Sequence, residues 1–123
     1  MWPKGEARPV ASSLNFVPGQ PVANSVVAKV GAGGLVSFWN SADAASMGPV
    51  NLLVDVVGWF AAGSSFTSLV PSRLVDTRLA PLVAVGAGAQ LDVSVLGRGG
   101  VPASGVGAVV LNVTARMRCR RGI

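Results

Sequence analysis

N-L-L-V-D-V-V-G-W-F, Asn51 to Phe60, is the longest apolar run in the chain and carries one charge, Asp55, near its middle. At the two-residue period of a strand, Leu53, Asp55, Val57 and Trp59 share one face, and Leu52, Val54, Val56 and Phe60 share the other. Both faces are mostly apolar, which is the signature of a strand in the interior of a packed sheet. The surrounding window, Pro49 to Ala62, is shorter than the roughly 20 residues a spanning helix needs and contains Asp55 and Gly58, so no membrane span is expected.

Working outward, the neighbouring stretches read as further strands. Val106 to Ala115, V-G-A-V-V-L-N-V-T-A, is a second long apolar run, and Ala89 to Leu96 alternates with Leu91, Val93 and Val95 inward and Gln90, Asp92 and Ser94 outward. Leu35 to Asn40 follows the Gly31-Ala32-Gly33-Gly34 turn. Val10 to Phe16 alternates loosely and closes on a Pro18-Gly19 turn, which makes Val22 to Val30 its expected hairpin partner. Trp2-Pro3 reads as the end of a strand. Ser41 to Gly48 and Leu79 to Gly88 are small-residue loops, and Ala61 to Ser65 has the composition of a flexible linker.

Half of the 123 residues are apolar, supplied mainly by Val and Ala, with 16 Gly besides, and only 12% are charged. Such a composition fits an all-β sandwich with small residues at its turns. The single Cys119 has no partner for an internal disulfide. The formal charge of +5 is concentrated at one end, because Arg116, Arg118, Arg120 and Arg121 fall in the last eight residues and the preceding body carries six basic and five acidic groups. With no interleaved aromatics to stack bases, nucleic acid is not an expected partner. Residues 116–123 lack any apolar period and are expected to form a disordered basic tail.

The segment Arg73 to Arg78, R-L-V-D-T-R, packs Arg73, Asp76 and Arg78 into six residues. At strict alternation, Leu74, Asp76 and Arg78 share one face and Arg73, Val75 and Thr77 the other. Unpaired buried charge is costly, so these groups are expected to form structural ion pairs with each other and with Asp55. A metal would meet arginines where it needs oxygen donors, so neither metal nor cofactor is expected. Catalysis lacks its usual parts as well: there is no histidine, no G-x-S-x-G elbow and no base beside Cys119. A glycosidase built on Asp55 and Asp76 needs one raised carboxyl pKa, which neighbouring arginines oppose. Candidate ligand-binding residues are Trp39 and Trp59, together with Trp2, since indole faces stack on sugar rings, although tryptophans more often serve burial.

Several short motifs together resemble a repeat module of secreted and surface-attached multidomain proteins of actinobacteria. They are Trp2-Pro3, Ser13-Leu14-Asn15-Phe16, Asp55-Val56-Val57-Gly58-Trp59-Phe60, Arg73-Leu74-Val75-Asp76-Thr77-Arg78, Gly99-Gly100-Val101-Pro102 and Leu111-Asn112-Val113-Thr114. The resemblance implies a jelly-roll-like antiparallel β-sandwich, extracellular or cell-surface location, and neighbouring modules or cell-wall glycan as partners, with spacer or adhesion duty. It also implies an unusual phase. Residues 1–60 match the back of one module and 71–115 the front of the next, joined by a linker at 61–70, so one domain over 1–115 would be circularly permuted. Should the linker not span, a strand-swapped oligomer is expected. Most of the strand ending at Trp2-Pro3 is missing in this phase, and a vacant edge is expected beside Val106 to Ala115. The alternative reading is a gene fragment without independent function.

Overall fold

In the computed structural model, which describes residues 1–41, 48–63 and 65–117, the chain forms seven strands and one short 3-10 turn. The strands are β1 (Trp2–Pro3), β2 (Val22–Lys29), β3 (Leu35–Trp39), β4 (Val50–Ala61), β5 (Phe66–Asp76), β6 (Gln90–Ser94) and β7 (Val106–Met117). All pairings are antiparallel. One sheet has the order β1-β3-β6 and the other β2-β7-β4-β5. The fold is therefore all-β with two antiparallel sheets, consistent with a β-sandwich. Each sheet draws strands from both sides of the Ala61 to Ser65 turn within one chain.

The core lies between the sheets, where Val36, Phe38 and Val93 meet Val54, Val56, Val109, Leu111 and Val113. β-Branched valines dominate because their stiff side chains fill a pleated surface at little rotamer cost. β4 is held between β7 and β5, and its inner residues Val50, Leu52, Val54 and Val56 are buried.

Strict alternation fails after Val56. Opposite β7, Val56 faces Leu111 whereas Gly58 faces the adjacent Val110, so Val57 is an extra residue and the phase reverses. Trp59, facing Val109, turns inward and packs on the core, and Phe60 turns outward to meet Phe66 at 5.1 Å between ring centroids. The two aromatic residues thus exchange the faces expected of them. Gly58 sits beneath the Phe66 ring: a Cβ there would lie 2.4 Å from Phe66 and 2.9 Å from the Thr67 carbonyl oxygen.

Three further expectations are corrected. Residues 10–16 form no strand, and β2 pairs with β7 in unbroken register, where Ala28 is buried and Val26 packs on the core. The Ala61 to Ser65 stretch is no spanning linker: Ala61 N–H donates to Ser65 O at 3.0 Å and closes a β4–β5 hairpin. β7 has neighbours on both sides, so it carries no vacant edge; the short partner is β1, whose two residues face Ser37 and Val36 while β3 runs on to Trp39. β7 continues through Arg116 and Met117, the latter 2% exposed. The rest of the expected basic tail, and the loop at 42–47, fall outside the described residues.

Candidate functional site

The charged residues of the R-L-V-D-T-R segment converge on the β4–β5 hairpin. Arg73 faces Asp55 across the strands, its Nε donating to Asp55 Oδ1, and its Nη1 reaches Asp76 Oδ2 at 3.2 Å. Arg78 donates from its backbone N–H and Nε to Asp76 Oδ1, at 3.0 and 2.9 Å, and from Nη2 to Oδ2 at 2.7 Å. Strict alternation would put Arg73 and Asp76 on opposite faces. The register instead passes from Asp55↔Arg73 to Val54↔Val75, which leaves Leu74 as an extra residue, lets Leu74 and Val75 both bury, and returns Asp76 to the face of Arg73.

Asp76 is buried, and its carboxyl is held down at about 2. The hydrogen bonds from the Arg78 guanidinium dominate; loss of hydration opposes them, and the Arg78 backbone N–H and the Arg73 charge add to the depression. Below this carboxylate, buried Thr77 exchanges bonds with Leu52 in both directions: its N–H donates to Leu52 O at 3.0 Å, and its Oγ1 accepts from Leu52 N–H at 2.8 Å. The same hydroxyl donates to Asn51 Oδ1 at 3.2 Å. These residues knit the hairpin together. Both aspartates are engaged by arginine, which suits neither a proton donor nor a cation site.

A second cluster, on the outer face of the small sheet, was not foreseen from sequence. Asp92 pairs with Lys4 and accepts from Ser37 Oγ at 2.6 Å and Gln90 Nε2 at 2.7 Å. Burial raises its pKa, but these three donors together outweigh that and leave it lowered. Cross-strand neighbours Ser37↔Asp92 and Trp39↔Gln90 bring the groups together, a register invisible without the sheet order. Among the described residues no group of three or more His, Cys, Asp or Glu is placed to hold a metal ion.

The concave site lies elsewhere, at the β1 end. A cavity of about 480 Å³ opens between the sheets, lined by Phe38 and Trp39 of β3, by the core residues Leu52, Val113 and Ala115, and by Met1, Trp2 and residues 8–14 of the β1–β2 connection. Its size is in the range of small-ligand clefts. Among the described residues its lining contains one charged side chain, Arg8, and no carboxylate. The Arg8 guanidinium lies 4.1 Å from the centroid of the Trp39 ring, a cation–π contact. Trp39 is 38% exposed, whereas Trp2 is 8% exposed. Trp59 belongs to the core packing and does not line this cavity. The candidate tryptophans are thus separated, and only Trp39 is both accessible and beside a concavity.

Comparison with protein-family models, with curated proteins and with solved structures returned no match.

Proposed function

We infer that the chain is a noncatalytic β-sandwich module of a larger secreted or cell-surface protein, serving as a spacer or adhesion unit that engages its partner at the β1 end. The observation that carries this reading is the cavity beside Trp39: it is concave and largely apolar, and among the described residues its lining has no carboxylate, histidine or thiol to move a proton. The motif pattern in R-L-V-D-T-R and D-V-V-G-W-F supports the surface setting and the permuted, jelly-roll-like phase. In that phase the module's natural ends meet at the β4–β5 hairpin, where Ala61 and Ser65 bond directly. No helix among the described residues is long and apolar enough to cross a membrane.

Cell-wall glycan is one partner class. A sugar ring stacking on the side of Trp39 that Arg8 covers would have to displace the guanidinium, and Trp59 offers only a half-buried ring. The indole N–H signals of the three tryptophans, followed by NMR during titration with soluble wall oligosaccharides, test the location, and a reducing-end assay on the same samples tests catalysis. The expected result is no released reducing ends and any response confined to the Trp39 signal. Reducing ends that appear with the native chain and vanish in Asp55→Asn or Asp76→Asn would overturn the noncatalytic reading.

A further inference from the structure

We propose that the chain pairs with a second copy of itself, face to face, through the outer surface of its four-stranded sheet, with the strands of the two copies running in opposite directions. The surface lies toward the other end of β4 from the cavity, and the inference stands apart from any ligand there.

The pairing registers fix which side chains share that surface. Val109 and Leu111 are buried in the core, so Val110 between them points outward, and residues paired with it across the sheet share its face. Val27, Val110, Gly58 and Ser68 thus form one outer row across β2, β7, β4 and β5. Lys29, Ala108, Phe60 and Phe66 form the next. An antiparallel sheet with one face on the core normally turns polar residues outward. The small sheet does so, with Ser37 and Gln90 donating to Asp92 on its outer face. The large sheet does not: Val27 is 61% exposed and Phe66 50%, and Val70 at the β5 border is 87% exposed.

Area and charge identify the occupant. The exposed parts of these apolar side chains come to roughly 400 Å². With a polar rim, that is close to one partner's share of a standard interface, about 800 Å² with slightly over half of it apolar. The charged groups bordering the two rows are paired within the chain, Lys29 with Glu6 and Asp55 with Arg73, so two identical faces meet without repulsion. Association here draws on apolar area rather than on polar groups. Charge also selects the direction. Arg116 points outward between buried Ala115 and Met117, six residues along β7 from Val110, or roughly 20 Å. Parallel copies would set Arg116 against Arg116. A two-fold axis along the row of Val27, Val110 and Gly58 sends the two arginines to opposite ends. The row of Phe66 then meets the partner copy's row of Asp55 and Arg73, where a guanidinium can rest on the ring.

Sedimentation equilibrium of the full chain, over a concentration series reaching about 1 mM, tests the pairing. The expected result is a reversible equilibrium between monomer and dimer that added sodium chloride strengthens, because salt screens the repulsion between two chains of formal charge +5. Val27→Glu should weaken association about tenfold or more, since it sets a charge against its own copy, and should leave the urea midpoint of the dilute monomer unchanged. A cross-link reads the arrangement without relying on that variant. With Cys119→Ser as background, Val27→Cys should be joined to its copy by a short bismaleimide at least about tenfold faster than Gln90→Cys on the other sheet, because the axis sets the two Val27 positions face to face. A monomer at every concentration, a dimer indifferent to Val27→Glu, or equal cross-linking at the two positions would overturn the proposal. So would Phe60 and Phe66 ring signals that respond to wall oligosaccharides in a chain that stays monomeric, an outcome that gives the face to glycan.

Discussion

Along the β4–β5 hairpin, Asp55, Arg73, Asp76 and Arg78 neutralise one another and Thr77 satisfies the backbone of Leu52, whereas beside β3 a cation faces an aromatic ring over a cavity that the core does not fill. The same small valine-rich sandwich is finished at one place and open at the other. Closure at the hairpin comes from register shifts that align charges. Openness beside β3 comes from the cavity between the sheets that Phe38, Trp39 and Leu52 line. A region that has satisfied its polar groups has little left with which to recognise anything, so recognition belongs to the other.

The contrast is sharpest in packing. Leu111→Ala, in the filled part of the core, should cost about 3 kcal/mol of unfolding free energy, while Leu14→Ala, beside the cavity, should cost about 1 kcal/mol or less, because the deleted atoms already border open space. Equal losses by urea denaturation would erase the difference between the two regions. Next in size, Asp76→Asn should lower the urea midpoint by roughly 1 M. That variant also carries a pH signature. The Asp76 carboxyl lies at about 2 in the fold against an ordinary 3.8, so its contribution is complete above about pH 4 and is lost as pH falls toward 2. Stability of the native chain should fall over that window, and Asp76→Asn should lack that part of the fall; parallel pH profiles would detach Asp76 from the ion-pair network.

Gly58→Ala should cost about 1 kcal/mol by pushing Phe66 off the strand, and Phe66→Ala should relieve part of that cost when the two are combined. Strict additivity in the double-mutant cycle would mean that the ring does not rest on Gly58. The smallest effect is expected at Asp55→Ala, about 0.5 kcal/mol, because its partner Arg73 is 44% exposed and water screens the pair. A loss of several kcal/mol, as an internal charge without a partner would give, is not expected here.

Much of this architecture is legible in the chain. β4 and β7 announce themselves as apolar runs, and β6 by alternation at Leu91, Val93 and Val95. The proximity of Asp55 to the arginines of R-L-V-D-T-R follows from the cost of burying charge alone. Bulges are what a two-residue period cannot anticipate: an extra Val57 moves Trp59 into the core and Phe60 out of it, and an extra Leu74 puts Arg73 and Asp76 on one face. The loose alternation of Val10 to Phe16 is also misleading, since residues with strand propensity become a strand only where an edge is available in register, and β7 takes β2 instead. The Lys4–Asp92–Ser37 cluster depends on β1, β3 and β6 being neighbours, an order that no local pattern encodes.

Amide hydrogen exchange tests the sheet order beside the cavity most directly, through Trp39 and Phe38, adjacent residues of one strand whose N–H groups point to opposite sides. The Phe38 amide, bonded toward β6, should exchange slowly, and the Trp39 amide, turned away from β6 and paired with no strand among the described residues, should exchange at least about tenfold faster. Equal protection at the two positions would contradict that pairing of β3.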